Sequence, residues 1–343
     1  MAKYFVLISG EDIALAQAEV DSVVRLVDTK AKLEWDNTLG LVETTDDAIQ
    51  FLLSRSATVK EAGAVITETE PTEDPANWIT EERLLPVISS FGTFSIRTQS
   101  LFSDRKVEYR KQLTKQIGDK IRNLTELRVS TKFPDVTFLV LLTSNRTLIC
   151  QATISQTRKV LLSKCPSAKP FFHPSMMNAT LARVMCNLAG VMPGNLVCDP
   201  FCGSGGILSE IATIGARTIG MDLNWRLIMG SRANLEGDGY GNFTLIQGDA
   251  RFIPFKTHSF DNIVTDPPYG RVSSTRGAAA TRLVRKFLEA VPSILRKGGR
   301  LCIGGSSQMR VVGLAEELGL IPKYHIPVRV HRGLVRDIIA LEV

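Results

Sequence analysis

"NLVCDPFCGSGGILSEIATI", residues 195–214, runs from a short apolar stretch through a glycine-rich turn into a segment with helical spacing of its apolar residues. The same rhythm recurs in "RTIGMDLNWRLIMGSRANLEG" (217–237), "FTLIQGDARFIPF" (243–255) and "FDNIVTDPPYG" (260–270). Strands rich in β-branched residues that alternate with helices predict an α/β fold with a doubly wound, mostly parallel sheet. A helix over "SMMNATLARVMCNLAG" (175–190) precedes the series. A C-terminal hairpin over "YHIPVRVHRGLVRDIIALEV" (324–343) closes it.

In such a sheet, ligands bind beyond the carboxyl ends of the strands, and each unit places polar residues there. Gly203, Gly205 and Gly206 let the backbone turn tightly and approach a ligand. Their spacing lacks the third glycine of the dinucleotide fingerprint. Asp222 ends the second strand, placed to accept from ribose hydroxyls. Asp249 ends the third, placed to accept from an adenine amine. Taken singly, each acid reads as a helix cap or a solvated loop residue. In register after successive strands, they read as a site.

The motifs "DPFCGSGG", "GMDLN", "QGDA" and "DPPYG" resemble, in order and spacing, those of the class I S-adenosylmethionine-dependent methyltransferases. The resemblance implies a Rossmann-like catalytic domain using S-adenosyl-L-methionine. Its cofactor-binding set would be His173, Asp199, Phe201, Gly203, Ser204, Gly205, Gly206, Asp222, Leu223, Asp249, Ala250 and Asp266, with Arg251 beside the adenine. A nicotinamide-dependent oxidoreductase is the rival on the same fold, and it has no use for the fourth motif.

That fourth motif makes Asp266, Pro267, Pro268 and Tyr269 the expected catalytic residues. An exocyclic amine on a base has its lone pair conjugated into the ring. The Asp266 carboxylate and the Pro267 carbonyl would accept its two N–H bonds and aim the lone pair at a methyl group. Proline fixes φ and removes a donor, which locks the carbonyl's direction. Tyr269 would offer a π-face to the base, worth ~1–3 kcal/mol by analogy with single-strand binding. The base must leave its stack to reach such a pocket. Similar motifs occur in families methylating adenine N6, guanine N2 and glutamine amides, so the motif names planar amines and not the base.

The preceding half bears on the substrate. Residues 1–60 carry 6 Lys/Arg against 10 Asp/Glu, whereas residues 83–170 carry 16 against 5. A segment this basic beside an acidic neighbour favours a polyanion partner. Strand and helix signals over residues 1–70 fit a ferredoxin-like β-α-β-β-α-β layout. "ETEPTEDPANW" (68–78) reads as a connector. A strand (93–101), a basic helix (105–125) and an antiparallel pair turning at Ser144-Asn145 follow. This organisation, with the "FFHP" at 171–174, resembles the THUMP-containing tRNA methyltransferases, and among them the archaeal tRNA (guanine(10)-N2)-methyltransferases.

The resemblance implies a ferredoxin-like domain at 1–70, a THUMP RNA-binding domain at 71–160, a linker at 161–172 and the methyltransferase domain at 173–343. It implies an enzyme that methylates guanosine N2 in tRNA at position 10, giving m2G alone or m2G and then m2,2G, a choice the sequence leaves open, through RNA contacts at Lys106, Arg110, Lys111, Lys115, Arg271 and Arg332. Guanine-N2 methylation elsewhere in tRNA is the alternative, and an RNA-binding protein with a vestigial pocket is the non-enzymatic one. His331, Arg332 and Arg336 near the C-terminal hairpin's turn stand either beside the substrate or as surface charge. "GRVSSTRGAAATR" (270–282) is expected as a loop over RNA or a solvated connector.

The bulk numbers agree. At 343 residues with 44% hydrophobic and 22% charged residues, the chain suits a two- or three-domain globular protein. No apolar run reaches the ~20 residues of a membrane span. Six cysteines without a CxxC pair or a His cluster argue against zinc and a disulfide framework. The expectation is a cytoplasmic monomer whose partner is tRNA, with neither DNA, membrane nor metal.

Overall fold

The computed structural model describes residues 2–71, 73–88, 92–101, 107–269, 274–331 and 334–343. In chain order the first half holds β1 (Ala2–Ile8), α1 (Ile13–Val27), β2 (Lys32–Asp36), β3 (Leu39–Thr44), α2 (Asp46–Arg55) and β4 (Val59–Thr69). It continues with α3 (Glu81–Ile88), β5 (Thr93–Ser100), α4 (Val107–Leu124), β6 (Arg128–Val129), β7 (Val136–Leu142) and β8 (Thr147–Ile154). The chain divides into two compact units. The first comprises Met1–Ile8, Val27–Leu53 and Val59–Ser155, and the second Ser9–Leu26, Ser54–Thr58 and Gln156–Val343.

The first unit is built on one sheet in the order β2-β3-β1-β4-β8-β7-β5-β6. Its first four strands, all antiparallel neighbours, follow a split β-α-β-β-α-β order. Strand β4 pairs with β8 and thereby continues the sheet into the second set of strands. A side chain at Gly63 would fall on the Gln151 carbonyl, so only glycine permits that approach. Helix α4 buries Leu113, Ile117 and Ile121 at four-residue spacing. These pack on Phe94, Phe138 and Val140 of the sheet, and the basic residues fall on the remaining surface of the helix.

The second unit continues with α5 (Gln156–Ser163), α6 (Ala179–Leu188), β9 (Leu196–Asp199), α7 (Gly206–Ile214), β10 (Arg217–Asp222), α8 (Trp225–Gly237) and β11 (Phe243–Gln247). It ends with β12 (Phe260–Thr265), α9 (Ser274–Ile294), β13 (Leu295–Ser306), α10 (Val311–Glu317), β14 (Tyr324–His331) and β15 (Leu334–Glu342). Its sheet runs β11-β10-β9-β12-β13-β15-β14. The first five strands are parallel, and β15 and β14 add on antiparallel. Strand order reverses between β9 and β12, and sheets of this kind bind ligands at such a switch point, beyond the carboxyl ends of the strands.

Two features differ from the sequence reading. Residues 274–282, expected as loop or connector, are the first turns of α9. "GAAATRLVRKFLEAV" is rich in good helix formers, and Ala280, Val284, Phe287, Leu288 and Val291 supply the buried stripe that holds the helix on the sheet. Second, α1 groups with the second unit. Its fully buried Glu19 accepts from Ser56 Oγ (2.7 Å), the backbone N–H of Ala57 (2.9 Å) and of Thr58 (3.0 Å), and Asn187 Nδ2 (2.6 Å). A buried carboxylate needs such donors, and they hold α1 against α6. The compact units thus cut across the boundary expected at residue 70. Residues 161–172, expected as a linker, also lie in the second unit. Lys164 pairs with Glu210 at 2.6 Å and Lys169 with Asp238.

Candidate active site

The turn after β9 is shaped by its hydrogen bonds. Cys202 N donates to Met221 O, and Gly205 N to Cys202 O, both at 2.9 Å. Gly205 caps α7 in the left-handed region (φ 86°), where a side chain would also strike Ser231 Oγ. A side chain at Gly206 would strike the Met177 carbonyl. Thus Met176 and Met177 lie over the start of α7. His173 Nδ1 sits 2.7 Å from Ser175 Oγ just before them. Ser204 Oγ is buried without a partner among the described residues, an acceptor or donor left for something not of this chain.

The strand-end acids are not equivalent. Asp199 is buried and accepts from Thr265 Oγ1 (2.6 Å) and the Phe201 N–H (3.1 Å). Burial nonetheless pushes its carboxyl up to about 7, and the neighbouring Asp222 and Asp266 push the same way. Asp222 accepts from Gly203 N (3.0 Å) and Asn224 N (2.8 Å), so it braces the glycine turn itself. Asp249 is gripped by Arg251, with Nη2 at 2.6 Å, which holds its carboxyl below the usual range. Ala250 is buried. Leu223 is 65% exposed and Phe252, beyond Arg251, is 76% exposed. Apolar side chains left in water at the ends of β10 and β11 can cover a flat ring. Phe201 turns the other way, edge-on to Phe287 at 5.5 Å.

At the end of β12, Asp266 is held by two partners. The Tyr269 hydroxyl donates to Oδ1, and Arg336 Nη2 lies 3.2 Å from Oδ2. Arg336 Nε donates to the Tyr269 oxygen, and its guanidinium lies over the Tyr269 ring at 5.4 Å. Desolvation raises the Asp266 carboxyl, and Arg336 and Tyr269 oppose the rise. Pro267 is buried and Pro268 exposed. Register explains the crowding: Thr265 is level with Ile303, so Asp266 faces Gly304, where a Cβ would stand 2.4 Å from its Oδ1.

The structure therefore brings Asp199, Asp222 and Asp266 to one crevice, with the glycine turn between the first two. Of the expected RNA-contacting residues, Lys111 and Lys115 are exposed one helical turn apart on α4, and Arg110 is half-buried. Lys106, Arg271 and Arg332 lie outside the described residues. Sequence reading missed Thr265, Gly304 and Asn234. Asn234 ties the glycine turn to residue 171 through Phe171 N and O and Ser204 O. An asparagine inside the helix of "SRANLEG" was the one local signal available.

Strand order, glycine turn and strand-end acids define a class I methyltransferase fold. Comparison with known proteins agrees: residues 166–337 match the family described as "UPF0020: RMKL-like, methyltransferase domain", and the chain belongs to it. The chain is 32% identical over 98% of both chains to the tRNA (guanine(10)-N2)-dimethyltransferase of Methanothermobacter thermautotrophicus. It is 28% identical over 99% of both to the protein of that name from Pyrococcus abyssi. The crystal structure of TrmN from Thermus thermophilus shares the fold, with a TM-score of 0.54, 18% identity and 99% of each chain covered.

Proposed function

We propose that this protein transfers methyl groups from S-adenosyl-L-methionine to the exocyclic N2 amine of guanosine 10 in tRNA, giving m2G and then m2,2G. The reading is carried by one conjunction. The residues able to grip a planar amine, Asp266 and Pro267, end the strand next to Asp199 and its glycine turn, in a chain that aligns end to end with tRNA (guanine(10)-N2)-dimethyltransferases.

The residues fit the cofactor. Burial first, and the neighbouring Asp222 and Asp266 after it, raise the Asp199 carboxyl, and a cationic ligand would offset the part due to those neighbours. The same acids oppose the pyrophosphate of a dinucleotide. When bound, S-adenosyl-L-methionine supplies an electrophilic methyl on a cationic sulfur. Asp199, Ser204 and the glycine turn would hold its methionine part, Asp222 its ribose, and Leu223, Asp249, Ala250 and Phe252 its adenine. His173, four residues before Met177, belongs to this set by the resemblance.

On the substrate side, Asp266 and the Pro267 carbonyl accept the amine's N–H bonds and draw its lone pair out of conjugation. Tyr269 and the prolines limit where the base can settle, so catalysis is mainly positioning and oriented charge. Asp266 takes the proton released on transfer. Residues 1–70, apart from the α1 and 54–58 segments that group with the second unit, act as a ferredoxin-like segment, 71–160 as a THUMP RNA-binding segment continuous with its sheet, and 173–343 as the methyltransferase domain. Lys106, Arg110, Lys111, Lys115, Arg271 and Arg332 meet RNA phosphates, which suits recognition by shape.

The test is incubation with labelled cofactor and unmodified tRNA transcript, followed by mapping of the modified nucleoside. Label in N2-methylguanosine at position 10 supports the reading. Label at N2 of another guanosine moves the site, label on another base removes the guanine assignment, and no label with RNA bound leaves only an RNA-binding protein.

A further inference from the structure

We propose that Arg336 is a positioning residue for the transfer, locking the Asp266 carboxylate and the Tyr269 ring into one rigid unit at the mouth of the crevice. The inference rests on the reading above that Asp266 receives the target amine. It adds a residue from the far end of the chain that neither the strand-end motifs nor the glycine turn contains.

Three contacts converge on one side chain. Arg336 Nε holds the Tyr269 oxygen, Nη2 stands 3.2 Å from Asp266 Oδ2, and the guanidinium carbon lies 5.4 Å from the centre of the Tyr269 ring. The Tyr269 hydroxyl, its proton directed to Asp266 Oδ1, closes the triangle. Both oxygens of Asp266 thereby have fixed directions, leaving their remaining lone pairs to face the amine. A guanidinium presents several donors in a rigid fork and can also stack on an aromatic face, whereas an ammonium is a point charge. Backbone geometry dictates the placement. Strand β15 pairs antiparallel with β13, with Ser306 opposite Arg336 and Gly304 opposite Ile338. This delivers Arg336 to the level of Asp266, and Gly304 leaves room between the strands. For stability alone a largely desolvated ion pair (side chains 14% and 16% exposed) contributes little, because an apolar packing of equal volume does as well. Its place at a strand end beside the reacting groups calls for another reason.

The groups facing Asp266 from neighbouring elements are Asp199 on β9, Tyr269 on its own loop, Cys302 on β13 and Arg336 on β15. The Cys302 and Tyr269 groups are driven up by burial and stay uncharged near neutrality. Asp266 raises the Asp199 carboxyl, and among the described residues Arg336 is the cation that favours ionisation of Asp266. Loss of Arg336 must therefore move the Asp266 titration upward.

The test uses the full chain and two variants, Arg336→Gln and Arg336→Lys. Titration of Asp266 is followed by carbon-13 NMR of the aspartate carboxyls in the free protein, assigned with Asp266→Asn. Methyl transfer to tRNA is followed against pH. Expected for Arg336→Gln is an upward shift of the Asp266 midpoint, a parallel shift of the acid limb of kcat, and a loss in kcat on the order of 10²-fold. Arg336→Lys should restore the midpoint toward the unmodified protein but recover kcat only in part, with KM for tRNA unchanged. The proposal is overturned if Arg336→Gln slows transfer without moving the Asp266 midpoint, if it leaves transfer intact, or if the lysine variant matches the glutamine variant in every readout. The NMR arm needs no RNA. Failure to methylate guanosine would thus sink the functional reading separately from this one.

Discussion

Gly304 offers a severe trial of the geometry, because the perturbation is one methyl group and its consequence can be worked out. A Cβ at position 304 would stand 2.4 Å from Asp266 Oδ1 and 3.2 Å from Cγ. Ordinary contact begins near 3.4 Å, so the carboxylate must retreat by about 1 Å, and Arg336 Cδ, at 3.5 Å, hems it in. A misplacement of about 1 Å at a reacting group costs ~10²-fold in rate. Gly304→Ala should therefore lower single-turnover methyl transfer by about two orders of magnitude. Overpacking would cost about 1–3 kcal/mol of stability, which urea unfolding can read separately. Cofactor affinity, measured by calorimetry, should hardly change, since Gly304 does not belong to the glycine turn. Combined with Asp266→Ala, the glycine change should slow the reaction no further, because both act on one group. Transfer within twofold of the unmodified protein would show that the observed place of Asp266 is not the working one.

Asp266→Ala alone should abolish transfer while tRNA affinity and its salt dependence stay unchanged; undiminished turnover would remove Asp266 from the chemistry. Lys111→Ala with Lys115→Ala should weaken tRNA binding across sequences and flatten the slope of log K against log salt by about 2, read by filter binding at several salt concentrations. An unchanged slope would make these lysines solvated surface. Asp199 gives a pH prediction for stability. Its folded pKa, pushed up to about 7, lies above the unfolded value of about 3.9. Between these limits the folded chain keeps a proton that the unfolded chain has lost, so stability falls as pH rises through that window, by a few kcal/mol at most. Asp199→Asn should flatten the decline in urea midpoint between about pH 4 and 7, and an identical decline in the variant would refute the assignment.

The elements that recur locally were readable from the residues. Apolar runs ending at Asp199, Asp222 and Thr265 became β9, β10 and β12, because strand and helix periodicity are properties of neighbouring residues. The glycine turn and the acids closing each strand were readable for the same reason, since they directly follow those runs. The first turns of α9 were misread because small residues before a helix look like a loop until a sheet surface exists for Val284 and Phe287 to cover.

What the chain alone could not declare is who meets whom. Arg336 lies 67 residues from Tyr269, and Asn187 lies 168 from Glu19. No periodicity links positions so far apart, and their pairing follows from sheet order and register. The emptiness required at Gly304 and the charge state of Asp199 are likewise properties of crowding and burial. Sequence by itself determined the kind of sheet and the residues at its strand ends. Tertiary structure decided which of those residues share a crevice, because desolvation and side-chain contact arise only once distant strands lie side by side.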